Sequence, residues 1–269
     1  MRLFGHDKAP SLADTARVAL GVAGPRLDAT LLEARGITKV LGAGAGEVHA
    51  LKGVDLALWP GELTLLMGPS GSGKTTLLSI LGCILAPTEG TISIAGHSTK
   101  GLKAEGLARL RKRHVGFVFQ SYNLFPTLSA TENIMLALDV RGVAGDKAKL
   151  AATALDAVGL SHRAGAFPGQ MSGGETQRVA IARALAGQPS VILADEPTAA
   201  LDSENGKGVM ELLAEVAQDA SRAVLAVTHD HRTLTYANRI IRIEDGLIVG
   251  EERPDQAAHE RTTRYAIGR

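Results

Sequence analysis

The sequence predicts an α/β fold with a mainly parallel sheet, and three observations lead to this prediction. Short apolar runs typical of buried strands recur along the chain. Helical stretches separate these runs, and strands that alternate with helices usually form a parallel sheet with helices packed on its faces. Hydrophobic residues make up 45% of the 269 residues, so the chain can bury a sizeable core, which excludes global disorder.

The predicted elements can be placed in order along the chain. Strands are predicted at 31–37, 54–58, 63–67, 91–95, 115–119, 191–194, 223–227, 240–243 and 247–249. Helices are predicted at 74–85 and across most of 129–186. Asp245-Gly246 lies between the last two strands, and this dipeptide is a strong hairpin signal. Residues 1–29 and 251–269 are predicted to be loosely held tails, and a short amphipathic helix at 12–20 is the alternative within the first.

A glycine-rich segment between the third strand and the first helix carries the strongest functional signal. Residues 68–75 read GPSGSGKT and match the phosphate-binding pattern G-x-x-x-x-G-K-[ST], in the strand–loop–helix context that this pattern requires. Such a loop points backbone N–H groups inward, and the helix N-terminus attracts anions. We expect Lys74 to bind the β- and γ-phosphates of ATP and Thr75 to ligate Mg²⁺, whereas a loop that only turns a corner would need neither. The predicted ATP-binding residues of this loop are Gly68, Pro69, Ser70, Gly71, Ser72, Gly73, Lys74, Thr75 and Thr76.

Two acids follow a buried strand further along the chain. Asp195 and Glu196 come directly after the apolar run at 191–194, and ligands of open α/β sheets bind at the carboxyl ends of the strands. We expect Asp195 to meet Mg²⁺ through its water shell and Glu196 to activate the attacking water as general base. Many strands end in a solvated Asp, so this signal is weak alone and becomes strong only together with the phosphate loop.

A second helix start has the composition of an anion site. Ser172-Gly-Gly-Glu175 forms a capping-box pattern, and the plain structural interpretation is a well-capped helix. Two adjacent glycines are costly at a helix start unless the backbone must approach another group closely. Because the chain already has one phosphate loop, we expect Ser172, Gly173, Gly174 and Glu175 to meet a nucleotide that another subunit presents.

Taken together, the motifs resemble the ATP-binding cassette (ABC) ATPases over about residues 30–250. Residues 171–178, MSGGETQR, resemble the signature sequence of that family. The motifs also occur in the family's order, which is the phosphate loop, Gln120, the signature, Asp195-Glu196, Leu201-Asp202 and His229. The resemblance implies a P-loop NTPase core with an N-terminal antiparallel β-subdomain and a helical subdomain inserted at about 121–186.

The resemblance implies further roles and a dimer. Gln120 would contact Mg²⁺ and report to the transport subunit, and His229 would contact the γ-phosphate. Without the other motifs, these two would be interpreted as a surface glutamine and a structural histidine. Asp202 would communicate across the dimer. Two copies would pair head to tail, so that each ATP lies between the phosphate loop of one copy and Ser172–Glu175 of the other.

Two positions depart from the family pattern. Leu41 occupies the place where the family usually has an aromatic residue that stacks on adenine, and stacking is worth roughly 1 kcal/mol. Leu41 can still pack on the base, and His49 is the alternative stacking partner. Glu175 replaces the commoner glutamine of the signature. Its charge suits the helix N-terminus but lies near the partner's phosphates.

A finer resemblance concerns Leu81-Gly82 and the segments at 119–124 and 195–202, which are similar to the branch that serves lipoprotein release, macrolide export and glycolipid export. This branch implies an integral membrane permease, a periplasmic adaptor and a peripheral position on the cytoplasmic face of the inner membrane. The net charge of +1 gives no argument for nucleic acid. The alternatives are a soluble ABC-type ATPase acting on DNA or ribosomes, and a cassette that binds ATP as a switch with little turnover.

Two remaining features have structural interpretations. The basic run Arg109, Arg111, Lys112, Arg113 and His114 is interpreted as a solvated helix face, with contact to anionic headgroups as the alternative. Cys83 is the only cysteine of the chain, which excludes an internal disulfide. We expect it to be a small core hydrophobe on the helix at 74–85.

Overall fold

The computed structural model describes residues 29–254, and the predicted helix at 12–20 and most of both predicted tails lie outside them. The strands, numbered in chain order, are β1 (Leu32–Leu41), β2 (Val48–Leu58), β3 (Leu63–Met67), β4 (Glu89–Ile94), β5 (His97–Ser98), β6 (Val115–Val118), β7 (Val191–Asp195), β8 (Ala223–Val227), β9 (Arg239–Glu244) and β10 (Leu247–Glu252). The α-helices are α1 (Lys74–Leu81), α2 (Ala104–His114), α3 (Ala130–Arg141), α4 (Lys147–Asp156), α5 (Gly173–Leu185) and α6 (Ser203–Ala217).

The strands form two sheets of different character. The first four-stranded sheet has the order β2-β1-β4-β5 and is antiparallel throughout. The second sheet has the order β10-β9-β3-β8-β7-β6, and its strands are parallel except for β10 at the edge. The predicted fold class, an α/β core with a mainly parallel sheet, an N-terminal antiparallel sheet and an inserted helical region, is confirmed.

Each face of the parallel sheet packs into its own hydrophobic core. Successive side chains of a strand point to opposite faces, so β3 places Leu65 in the core shared with α3, α5 and α6. Its neighbour Leu66 lies instead in the core shared with α1 and the antiparallel sheet. Because both faces are covered, every residue of the central strands β3 and β8 is buried, and this explains why both ends of each were predicted correctly.

Helix α1 is shorter than predicted. The sequence indicated a helix to residue 85, but α1 ends at Leu81. A Cβ atom on Gly82 would lie 1.9 Å from Cζ of Phe117, so only glycine fits there, and Cys83 follows with a left-handed φ of 56°. Cys83 therefore lies beyond the helix, although it is buried as expected, and burial raises the pKa of its thiol to about 11.

The predicted start of the C-terminal tail at residue 251 is wrong. Glu251 and Glu252 belong to β10 and pair with Ile241 and Ile240 of β9. The Arg239 guanidinium is buried and donates to both carboxylate oxygens of Glu251, at 2.7 and 3.0 Å. This bidentate ion pair holds the end of the strand, and a polar sequence alone did not reveal it.

The basic run ends helix α2 and only part of it is solvated. Arg109, Lys112 and Arg113 are exposed, in agreement with the predicted helix face. The interpretation is wrong for His114, which is buried, with its ring centroid 5.4 Å from that of His97 and Nδ1 3.4 Å from Oγ of Ser190. Contact of this helix with anionic headgroups stays a prediction.

The helical region between β6 and β7 contains α3, α4 and α5, in the stretch predicted to be mainly helical. Serine caps with reciprocal glutamate bonds start α3 at Ser129 and α5 at Ser172. Within residues 29–254, no helix combines the length and the apolar character that crossing a bilayer demands.

Candidate nucleotide-binding site

The phosphate loop joins the central strand β3 to helix α1. Gly71 and Gly73 adopt left-handed φ values of 80° and 99°. A Cβ atom on Gly68 would lie 2.0 Å from the carbonyl oxygen of Ile243, and one on Gly73 would lie 2.6 Å from that of Ala50. The loop is therefore clamped against β9 and β2, and its glycines are required by close packing as well as by backbone curvature.

Lys74 is buried at the start of α1 and bonds to its own loop. Its Nζ donates to the carbonyl oxygens of Gly68 and Pro69, both at 2.7 Å. These bonds place the ammonium group in the mouth of the loop, beside the inward-facing backbone. A phosphate oxygen is a stronger acceptor than a carbonyl because it is charged, so the same ammonium group is positioned to bind phosphate.

Thr75 and Asp195 form the candidate metal-ligating pair. The hydroxyl Oγ1 of Thr75 lies 3.5 Å from Oδ1 of Asp195, although 120 residues separate them in sequence. Burial and the neighbouring Glu196 raise the pKa of Asp195, and a cation bound nearby would lower it. Hydroxyl and carboxylate oxygens are ligands of Mg²⁺, so this pair fits that ion.

Glu196 and His229 face each other at the ends of two neighbouring parallel strands. Asp195 at the end of β7 is in register with Val227 of β8, which brings the following residues together. Glu196 has a left-handed φ of 45°, and its side chain is mostly buried. Its Oε1 lies 2.8 Å from Nδ1 of His229, whose side chain is 71% exposed. The candidate general base is thus held in place by the predicted switch histidine.

One open cleft of about 1100 Å³ unites most of the predicted site. The phosphate loop except Ser72 lines it, and so do Gln120, Glu196 and His229. Leu41 and His49, the predicted candidates for contact with the base, also line it, and His49 Nε2 is 3.1 Å from Oε1 of Glu47. A cleft of this volume can hold a nucleotide.

Several lining residues were not predicted from the sequence. Val48 pairs with Leu41 across β1 and β2 and is 58% exposed in the cleft, so the two form an apolar edge. Asp245 and Gly246 were interpreted only as a hairpin turn, yet they also line the cleft. Gly246 donates its N–H to the Ser72 carbonyl at 3.1 Å, which ties the hairpin to the phosphate loop.

Residues Ser172 to Glu175 do not line this cleft. They start α5, where Ser172 and Glu175 exchange the reciprocal capping bonds at 2.8 and 3.2 Å. Gly173 and Gly174 pack closely on neighbouring groups, because a Cβ atom would lie 3.2 Å from the Tyr122 hydroxyl and 2.2 Å from Oδ1 of Asn205, respectively. The predicted site residues therefore divide into two groups within one chain.

Asp202 occupies the helix start that packs against this second group. Its carboxylate accepts the backbone N–H groups of Glu204 and Asn205 at 3.1 and 2.9 Å, and the side chain of Asn205 at 2.7 Å. These bonds lower the pKa of Asp202, with the Asn205 backbone bond as the largest cause. The signature helix α5 and the Asp202 segment are consequently linked through Asn205.

A phosphate loop between a central parallel strand and a helix, with acids at the end of a neighbouring strand, defines the class of P-loop nucleotide-binding proteins. Residues 51–199 match the sequence profile of the family described as ABC transporter. The chain belongs to this family and is an ABC-type ATPase domain that binds ATP.

Individual relatives agree with this assignment. The chain is 42% identical over 240 residues to the macrolide export ATP-binding/permease protein MacB of Hyphomonas neptunium, covering 89% of this chain and 37% of that protein. It is 44% identical over 235 residues to the pyoverdine export ATP-binding/permease protein PvdT of Pseudomonas fluorescens, covering 87% and 36%. The chain thus spans a little over a third of the length of these curated relatives.

A solved relative matches most of this chain and nearly all of its own. The ATP-binding cassette MJ0796, determined as a dimer in a post-hydrolysis state bound to ADP and Pi, is 41% identical, with a TM-score of 0.76. The match covers 82% of this chain and 98% of that one.

Proposed function

We propose that this chain hydrolyses ATP to energise a separate membrane permease, in the direction of export or extraction from the membrane. The cleft that collects the phosphate loop, Gln120, Glu196 and His229 carries this proposal. The two export proteins compared above join an ATP-binding part to a permease part, as their names state. Their names support a permease as the proposed partner, and a periplasmic adaptor is a further proposed partner.

The residues of the cleft have different roles in ATP hydrolysis. The phosphate loop binds the β- and γ-phosphates through its backbone N–H groups and Lys74. Thr75, Asp195 and Gln120 would hold Mg²⁺, which, when bound, would offset charge on the phosphate oxygens. Glu196 accepts a proton from the attacking water, and its carboxylate is oriented by the bond from His229. His229 is exposed to the cleft and is in turn free to approach the γ-phosphate.

A second copy would complete the site. Ser172–Glu175 lies outside the cleft of its own chain, yet it has the N–H groups of a helix start with two glycines. In a head-to-tail dimer this helix start contacts the γ-phosphate held by the other copy. The dimeric state of the solved cassette relative supports this arrangement. This chain would lie peripherally on the cytoplasmic face of the inner membrane.

The test is co-purification of the tagged full chain from detergent-solubilised membranes. We expect a stoichiometric integral membrane protein to accompany it and to change its ATPase rate, while Lys74→Ala still binds that protein but shows no ATP hydrolysis. Recovery of ribosomes or nucleic acid in place of a membrane protein would overturn the proposal and favour a soluble ABC-type ATPase.

A further inference from the structure

The carboxylate of Glu175 lies between two donors at the start of α5. Its Oε2 accepts the backbone N–H of Ser172 at 2.8 Å, and its Oε1 accepts Nε of Arg163 at 2.8 Å. The glutamate side chain is only 14% exposed, so these donors replace most of its water. Both bonds lower the pKa of Glu175, the Ser172 bond more strongly, and the group is a carboxylate at neutral pH.

A carboxylate at this position would raise the free energy of the proposed dimer. This inference rests on that dimer. The helix start that carries Glu175 would approach the negatively charged γ-phosphate of the other copy. Like charges at close range repel, and the repulsion grows as the interface excludes water. The backbone bond from Ser172 orients the carboxylate but brings no net charge, so it does not neutralise it.

Arg163 brings the missing positive charge from a rigid turn. It ends a 3₁₀ turn over Ser161–Arg163, and its N–H bonds to the Leu160 carbonyl at 2.9 Å. The next carbonyl, that of Ala164, accepts both the N–H and the hydroxyl of Thr131, so the turn is fixed to α3. The Arg163 side chain is 40% exposed.

We propose that Arg163 is a positioning residue for ATP-driven dimerisation. Its guanidinium neutralises Glu175 and turns the Glu175 carboxylate away from the incoming phosphate. The helix start then presents its N–H groups and the Ser172 hydroxyl to the γ-phosphate without an uncompensated negative charge. In this chain the Arg163–Glu175 ion pair carries no net charge, as an uncharged glutamine at position 175 of the signature would.

The test measures the ATP concentration that gives half-maximal dimer in the full chain carrying Glu196→Gln, which blocks turnover. Arg163→Ala is expected to raise this concentration about tenfold when residue 175 is glutamate. When Glu175→Gln is also present, Arg163→Ala is expected to raise the half-maximal ATP concentration less than about threefold, because residue 175 then carries no negative charge that Arg163 would neutralise. Arg163→Lys, which keeps the charge, is expected to recover most of the loss.

Matched controls separate this role from folding. Lys147→Ala removes another surface ion pair of the helical region, with Asp139, and is expected to leave the half-maximal concentration within about twofold. Binding of a fluorescent ATP analogue to the dilute monomer is expected to be unchanged by Arg163→Ala, since Arg163 lies outside the cleft. Thermal melting checks that each variant is folded.

Two outcomes would overturn the inference. An equal effect of Arg163→Ala with glutamate or glutamine at position 175 would mean that Arg163 acts only on structure, and no effect in either background would mean that its charge is unimportant. A parent Glu196→Gln chain that stays monomeric at saturating ATP would overturn the proposed dimer itself, and the role of Arg163 with it.

Discussion

At the scale of single residues, the contact between Glu196 and His229 determines how the cleft is organised. The two residues are separated by 33 positions and follow different strands, and the sequence assigned them to different tasks. Their 2.8 Å contact links the proposed base to the proposed switch, so that a movement of His229 towards phosphate would also change the environment of the Glu196 carboxylate. Because the histidine side chain is largely exposed, this movement displaces few packed atoms.

His114 gives a prediction about the pH dependence of stability. Burial, then the nearby His97 and Arg113, lower the pKa of His114 from 6.5 to about 4. The unfolded chain therefore binds a proton at a higher pH than the folded chain, so the stability from this group is complete above pH 6.5 and is lost as pH falls towards 4. A shift of this size corresponds to about 3 kcal/mol of unfolding free energy.

Urea denaturation of the wild type and of His114→Gln between pH 7 and pH 4 tests this prediction. The wild type is expected to lose about 3 kcal/mol more than the variant over this interval, because the variant lacks the titrating ring. Parallel stability curves for the two proteins would show that His114 is protonated equally easily in the folded and unfolded chains.

At the scale of elements, the β9–β10 hairpin is part of the nucleotide site as well as an edge of the sheet. Gly246 has a left-handed φ of 78°, and a Cβ atom there would lie 2.7 Å from the Ala50 carbonyl oxygen. Its N–H bonds to Ser72 of the phosphate loop, and its carbonyl accepts the N–H of Lys52 at 2.9 Å. The hairpin thus braces the loop against β2.

Gly246→Ala is expected to destabilise the chain by about 2 kcal/mol and to weaken ATP binding, because both the backbone strain and the clash displace the hairpin from the phosphate loop. Gly250→Ala in the same hairpin is the control, since a Cβ atom there would meet no atom within 4 Å. Chemical denaturation and calorimetric titration with ATP measure the two effects. Equal results for both variants would contradict the bracing role.

The sequence predicted elements well where burial is uniform and poorly where it is mixed. Both ends of β3 and of β8 were predicted correctly because every residue in these strands is buried. β1 and β2 extend well beyond their predicted limits through polar residues, since the two strands pair with bulges from Leu32 to Leu41. Helix α1 ends just before Gly82, a local stop signal, and the close packing of Gly82 on the Phe117 ring of a distant strand is the part that the local sequence did not reveal.

At the scale of the whole molecule, the predicted site residues fall into two sets that one chain does not bring together. The sequence could predict where the phosphate loop, Asp195 and Glu196 lie in the fold, because motif and strand position suffice for them, and their roles stay predictions. It could not predict that Asp245 and Gly246 line the cleft, or that Arg163 contacts Glu175, because these contacts depend on how distant segments pack. Of the limits proposed for the cassette, 30–250, the first stays a prediction, whereas β10 extends past the second to Glu252.

A cleft in one chain and Ser172–Glu175 in another are proposed to form a shared catalytic site. The most direct measurement is the mass in solution of Glu196→Gln with ATP and Mg²⁺, together with its ATPase rate. We expect a dimer of twice the 28.0 kDa chain mass and turnover reduced by about 10²–10⁴, with Lys74→Ala added to this variant returning it to monomer. Hydrolysis at the wild-type rate, or a monomer at saturating ATP, would contradict the claim.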